Sequence, residues 1–495
     1  MRNLRSAFLV AIGLAPVAVA TSARADGGYY AGTLGARAAG RSGAFTARAD
    51  DITAVAFNPA GLAKLEGGTF IQVGNRFSSN QYSYTRDATR DWGHATNDGA
   101  PLVRFGEVSN GAPSQLLEPL IGVASKLGME DWGFALAIYA PPGISREEFP
   151  TRGPQNYMMV SREAQIINYA GAAAWKYKDI FGVGATLGFM SVPRLNYSLV
   201  IDGSVFQGSA NPVSSDLDIL ATTSGSDLFT FNATLGAWFR PMPSLEIGIS
   251  GQVIPTEIAA NSTLVATPLT SSFGNLVLTR NGEPADDVTV RLPLPLLARF
   301  GIRHRHMVAE RELYDVELDV EYETWSRVNR FSVETRGLEA NLQGQVVKLN
   351  RIDIDKRWRD TVAVKLGGDF ALVPDRWTLR GGAFYETAVA DAAYAAVDFP
   401  GGQQFGGSVG ASFFIQNWEL AVAYQLRFQP PVQVSEANAR VYQQVPGSSC
   451  QAPYTDSNTC NSHYLGQPSP AVNAGTSQAQ SHFLSIAALY RFGGH

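Results

Sequence analysis

The chain has 495 residues, 39 of them Lys or Arg and 44 Asp or Glu, for a formal net charge of −5; 45% are hydrophobic and only 17% charged. Without a Lys/Arg-rich run, so mildly acidic a chain lacks the electrostatic footprint of a nucleic-acid binder. High apolar content with low net charge also excludes an intrinsically disordered chain.

Residues 1–25 read as a secretory signal peptide. Arg2 and Arg5 form a basic start, Ala7 to Ala20 an apolar run, and Ala23-Arg24-Ala25 a small-residue cleavage site. Residues 26–67 lack strand alternation and are rich in Gly, Ala and Arg. They include Gly35-Ala36-Arg37-Ala38-Ala39-Gly40-Arg41-Ser42-Gly43, Asp50-Asp51 and Asn58-Pro59-Ala60-Gly61-Leu62. On residues alone this segment is either a loose periplasmic tail or a plug inside a barrel. As a plug, it would bring Arg37, Arg41 and Arg48 to inward carboxylates such as Glu317, Asp319 and Glu321.

Beyond residue 25 nothing approaches the ~20 consecutive apolar residues of a membrane helix. The densest run, Leu292 to Ile302, is broken by Pro293, Pro295, Arg299 and Gly301. Alternation with period two recurs instead. Val316, Leu318, Val320 and Tyr322 share one face, while Glu317, Asp319, Glu321 and Glu323 share the other. The segments 362–370, 418–428 and 484–492 repeat the pattern.

Strands are expected at about 68–77, 118–127, 132–140, 164–176, 181–200, 227–239, 244–264, 286–302, 312–336, 357–373, 376–390, 404–415, 417–434 and 481–492. That makes fourteen, with long and short connections in alternation. A soluble sandwich and a membrane barrel share such periodicity and differ in which face meets water. The connections decide: short periplasmic turns, long outer loops and an even strand number mark an outer-membrane barrel. Residues 68–495 are therefore expected to form an all-β, 14-stranded antiparallel transmembrane β-barrel in a bacterial outer membrane. Trp132, Trp238, Trp325, Trp358, Trp377 and Trp418, near strand ends, are expected at the membrane–water interface.

Other motifs carry little chemistry. Gly406-Gly407-Ser408-Val409-Gly410 matches a hydrolase pattern, but it lies within an expected strand with no helix after it. His304 and His306 stand among Arg303, Arg305 and Arg311 and read as a basic periplasmic turn rather than a metal site. No catalytic group, metal or cofactor is expected. Cys450 and Cys460, in the longest late loop, read as a disulfide worth ~2–3 kcal/mol, with free thiols as the alternative.

The run from Gly35 to Leu62 resembles the FadL/TodX family of outer-membrane hydrophobic-compound transporters. It carries Gly40-Arg41-Ser42-Gly43, Asp50-Asp51 and Asn58-Pro59-Ala60 in that family's plug pattern. Tyr322-Glu323-Thr324-Trp325-Ser326, Trp358-Arg359-Asp360 and Trp377-Thr378-Leu379-Arg380-Gly381-Gly382 extend the likeness. It implies a barrel closed by an N-terminal hatch, residues 26–67, with Asn58, Pro59 and Ala60 at the gate. Passive transport of long-chain fatty acids follows as the leading expectation, with aromatic hydrocarbons by the same route as the alternative. Lateral release is implied at a kink in the third strand, where Ala140, Pro141, Pro142 and Gly143 supply a physical cause.

The chain departs from the family in two places. Phe492 is followed by Gly493-Gly494-His495, and Ser332 stands where some members carry a basic residue, leaving Arg330 on the same strand face as a contact for a ligand carboxylate. Leu116, Leu117, Phe149, Tyr157, Met158 and Met159 are candidates for an extracellular capture surface, or else pack the loops together. Expected partners are the hydrophobic ligand, outer-membrane lipid and, during biogenesis, barrel-assembly machinery. A water-filled porin and a surface-recognition barrel are the rival readings.

Overall fold

The computed structural model describes residues 32–65, 68–87, 89–90, 102–111, 114–143, 146–202, 218–270, 276–308, 311–342, 345–349, 351–399, 401–441, 463–464, 467–468 and 471–492. The expected signal peptide and the Cys450–Cys460 pair lie outside these residues.

Fourteen antiparallel strands form the wall. They are β1 (Thr69–Arg86), β2 (Ser114–Ser125), β3 (Trp132–Tyr139), β4 (Ser161–Tyr177), β5 (Phe181–Asp202) and β6 (Asp218–Met242). The next four are each in two pieces: β7 (Leu245–Gln252 and Glu257–Pro268), β8 (Asp287–Pro293 and Leu297–Val308), β9 (Arg311–Glu323 and Arg330–Glu334) and β10 (Ile352–Asp355 and Thr361–Val373). The last four are β11 (Trp377–Glu386), β12 (Gln404–Ile415), β13 (Trp418–Val434) and β14 (Gly475–Phe492). Each pairs with its chain neighbour, and β14 returns to β1 in unbroken register from Thr69↔Phe492 to Arg86↔Gly475. The sheet closes, so it has no free edge.

Which face meets lipid is settled by accessibility. Val316, Leu318 and Val320 of β9 are 45, 45 and 37% exposed, whereas Glu317, Asp319 and Glu321 are 0, 2 and 8% exposed. The oily face looks outward and the charged face inward, as a membrane barrel requires. Parity corrects half of the tryptophan expectation. Trp132, Trp377 and Trp418 do point outward near the periplasmic turns, but Trp238, Trp325 and Trp358 are buried inside. Trp238 occupies an inward position of β6, between the outward Leu235 and Phe239.

Strands expected to be continuous at 244–264, 286–302 and 312–336 are each interrupted, and the one expected at 357–373 starts only at Thr361, after a break from its upper piece; the four breaks lie at neighbouring heights. Pro255 and Pro295, which lack a ladder donor, sit in the breaks of β7 and β8, and a 3-10 turn, Trp325–Arg327, fills that of β9. Inside these breaks Trp358 meets Trp325, Phe331 and Phe399 edge-on, with ring centroids 5.2–5.6 Å apart. The expected Gly406–Gly410 motif lies inside β12 with no helix following. Arg303, expected in a periplasmic turn, points into the lumen against Glu246 and Asp315.

Candidate functional site

The segment 32–65 occupies the lumen. It is short of regular structure: α1 (Ala36–Ala39), α2 (Ala54–Phe57) and a 3-10 turn, Pro59–Lys64. Small side chains let it lie close to the wall, and its polar groups are answered by inward carboxylates. Arg41, fully buried, donates from Nη1 to Asp315 at 2.8 Å and Asp369 at 2.7 Å, and from Nη2 to Glu317 at 3.0 Å. Arg48 reaches Asp315 at 3.1 Å and Glu312 at 3.3 Å, and Arg37 lies 3.4 Å from Glu419. The carboxylates also take up backbone donors. Asp319 Oδ2 accepts from the N–H groups of Phe45 and Thr46, both at 2.9 Å, and Glu317 Oε1 from that of Ala47 at 2.6 Å. Glu321 instead pairs with Arg299 and Lys365.

Within the segment Asp50 stays ionised. Burial alone would raise its pKa, but Arg37 and Arg48 hold it well below the usual carboxylate range. Burial outweighs Arg37 at the adjacent Asp51 and pushes its carboxyl upward.

Asn58, Pro59 and Ala60 form a junction between segment and wall. Asn58 Nδ2 donates to the carbonyls of Thr46 and Ala237, each at 3.0 Å, while its Oδ1 accepts from Ala60 N–H at 3.2 Å. Trp238 Nε1 donates to the Ala60 carbonyl at 3.0 Å, and Pro59 opens the 3-10 turn. The wall against the lumen segment is glycine by necessity at several points. A Cβ at Gly184 would stand 2.5 Å from Ala60 N, and one at Gly248 would stand 2.6 Å from Ala47 Cα. Gly184→Val is therefore expected to lower the thermal midpoint, at a cost of about 1–3 kcal/mol, and to open the segment to protease. Heat-modifiability on gels and limited proteolysis measure both, and an unchanged variant would refute the close packing.

The wall itself is incomplete at β3. Among the described residues that strand pairs with β4 only as far as Tyr139↔Asn168; pairing resumes at Arg146↔Glu163, where a short strand, Arg146–Glu148, meets the start of β4. Ala140, Pro141, Pro142 and Gly143 follow directly on the Tyr139↔Asn168 pair. On its other side β3 leaves β2 after Ala140, whose N–H donates to the Pro119 carbonyl at 2.9 Å. The upper part of β2 then pairs with β1 alone, around a bulge between Arg76 and Ser78. A small cavity lies behind this point, bounded by Leu34 and Ala36 of the lumen segment, Arg76 of β1, Leu120 of β2 and Ala140.

The residues expected at the extracellular mouth divide. Leu116 and Leu117 sit in the β2 bulge and are 69 and 79% exposed. Phe149, Tyr157, Met158 and Met159 are instead buried, packed with Tyr82, Tyr84, Val160 and Val200 into an inner apolar cluster. They pack against one another and against the wall strands inside the loops rather than forming an outer surface.

A sequence profile for outer membrane protein transport proteins, OMPP1/FadL/TodX, matches residues 16–464. The chain belongs to this family. It lies in the bacterial outer membrane, and its function is FadL/TodX-type transport of hydrophobic compounds. The fold agrees with solved relatives. A Pseudomonas aeruginosa FadL homologue superposes with a TM-score of 0.71 at 16% identity, covering 94% of this chain and 100% of its own. The Ralstonia pickettii toluene transporter TbuX gives 0.57 at 16% identity, over 93% of this chain and 98% of its own. The P. putida toluene transporter TodX gives 0.59 at 13% identity, over 94% and 99%. Comparison with curated protein sequences returned no match.

In this FadL/TodX chain Arg330 and Ser332 lie on the upper piece of β9, beside the aromatic cluster of Phe331, Trp358 and Phe399. Ser332 Oγ accepts from Arg351 Nη2 at 2.6 Å, so a cation does stand at that position, supplied by the residue just before the upper piece of β10. Sequence reasoning missed Lys356 and Arg162. Lys356 pairs with Asp398 and lies 5.2 and 5.4 Å from the centroids of Phe331 and Phe399; Arg162 sits 4.1 Å over Phe399. Only the closed barrel brings these strands together.

Proposed function

We propose that the protein conducts long-chain fatty acids from the apolar mouth, past a hatch formed by residues 26–67, and out sideways through the gap at β3. The reading takes residues 1–25 as a cleaved leader, Asn58, Pro59 and Ala60 as the hatch's hold on the wall, and 68–495 as the barrel. The observation that carries it is the register break at Ala140–Gly143 beside a cavity bounded partly by the lumen segment. Polar lumen walls and a filled bore oppose straight passage of an apolar solute, whereas a gap between paired strands leads it directly into hydrocarbon.

Two other features support an amphiphilic cargo. Met and aromatic side chains are packed together beneath the outer loops, and such side chains repack around variable apolar ligands. Cations accompany the aromatic cluster of Phe331, Trp358 and Phe399. That cluster also favours the second reading, uptake of aromatic hydrocarbons, because its rings offer edges and faces to another ring.

Uptake of radiolabelled oleate and of toluene by a deletion strain, with and without the gene restored, tests the proposal. Restored oleate uptake at least fivefold above the empty strain is expected. Restoration of toluene alone would select the second reading, and restoration of neither would favour a porin or surface-recognition barrel.

A further inference from the structure

Arg86 ends β1 on its inward face, in line with the buried Tyr82 and Tyr84, and is 3% exposed. Its Nε and Nη2 are buried and have no hydrogen-bond partner among the described residues. The other buried arginines among the described residues, Arg37, Arg41, Arg76, Arg162, Arg303, Arg380 and Arg427, each have a carboxylate within 3.4 Å. Arg86 has none among the described residues. The Phe105 ring covers one face of its guanidinium with the centroid 5.1 Å away, which leaves the edge formed by Nε and Nη2 unanswered.

The neighbouring hydroxyls are committed elsewhere. Tyr84 Oη donates to the carbonyls of Val472 at 3.2 Å and Ala474 at 2.9 Å, and Tyr157 Oη donates to Asp218 Oδ1 at 3.0 Å. Burial pulls Arg86 below its ordinary pKa, against the opposing pull of Tyr84 and Tyr157. A guanidinium nevertheless keeps its charge in proteins. A charge taken out of water without a counter-ion is strongly unfavourable, so this position awaits an anion.

What adjoins it is oily. Tyr84 and Tyr157 belong to the inner mouth cluster, with Tyr82, Phe149, Met158 and Met159 beside them. We propose that Arg86 anchors the anionic head of an amphiphilic ligand, a carboxylate, whose alkyl chain lies along this cluster. The planar fork of Arg suits a carboxylate's two oxygens. The inference rests on the transport reading above and adds to it the residue that distinguishes an acid from a neutral hydrocarbon.

Binding of oleate, methyl oleate and acetate to full-length protein in nanodiscs, followed by intrinsic fluorescence, tests it. Wild type is expected to bind oleate at least tenfold tighter than methyl oleate. Arg86→Gln should bring oleate down to the ester's affinity and leave the ester unchanged, with Arg86→Lys recovering part of the loss. The Gln variant should melt at or above the wild-type temperature, because it removes an unmatched buried charge.

Equal affinities for acid and ester would overturn the proposal, as would undiminished oleate binding by Arg86→Gln or an equal loss of both ligands. Acetate competing as well as oleate would mark a small-anion site and overturn it too. A lower melting temperature would reveal an internal ion pair and do the same. If wild type binds neither lipid, the transport reading itself fails, a result distinct from equal binding of both.

Discussion

Arg41→Met is expected to destabilise the barrel by about 3–5 kcal/mol, the cost of breaking a buried charge pair from one side. It should also raise ion conductance in planar bilayers. The asymmetry of the network explains the size. Asp315 keeps Arg48 and Arg303, and Asp369 keeps Arg48 and Arg380. Glu317, fully buried, has Arg41 as its one ion-pair partner within 4.0 Å among the described residues and would retain only backbone donors from Ala47 and Arg48. Removing the stranded carboxyl as well should restore part of the loss, so Arg41→Met with Glu317→Gln is expected to be more stable than Arg41→Met alone. Thermal unfolding in detergent gives the coupling between the two sites. Conductance unchanged in Arg41→Met would mean that this network does not hold the lumen segment in place.

Ala140→Trp is expected to cut uptake of labelled oleate at least tenfold while leaving binding by the purified protein intact. Ala140 bounds the cavity behind the wall gap together with Leu34, Ala36 and Leu120. The cavity has room for little more than a water, so an indole placed there must wedge between the lumen segment and β2, away from the cluster of Tyr82, Tyr84 and Met159. The separation of the two readouts matters, because a variant that merely misfolded would lose both. Normal uptake by Ala140→Trp would exclude the gap as the exit and return attention to a path through the lumen.

Much of the barrel was legible in the sequence because a membrane wall has two unlike faces. Wherever a strand crosses hydrocarbon, its outward residues must be apolar, and alternation such as Val316 to Glu323 follows. Above the bilayer that requirement lapses. β1 was therefore expected to end near residue 77, yet it runs on to Arg86 through Ser79, Gln81 and Ser83, outward positions with nothing oily about them. Arg86 lay inside a presumed loop for the same reason. Parity likewise placed Glu317, Asp319 and Glu321 on the inner face without saying which plug arginine each would meet. Asp319 takes backbone N–H groups and Glu321 takes Arg299 and Lys365, matches that depend on three-dimensional reach. The Pro141-Pro142 break was readable as a kink because proline removes ladder donors locally. Its alignment with the cavity depends on the fold of residues 33–36, which no local signal announces.

The bulge in β2 has a consequence for the final step of transit. By spending two residues against one, it turns Leu116 and Leu117 away from the lumen together, and the Asn75 amide occupies the distorted rungs by donating to the Leu116 carbonyl at 2.9 Å and accepting from Glu118 N–H at 3.0 Å. The threshold of the proposed exit is thus greasy on its far side. A departing acyl tail would trade leucine for lipid at almost no cost, methylene by methylene. Escape rates should then depend weakly on tail length and strongly on the head, which alone must shed its polar company at the doorstep.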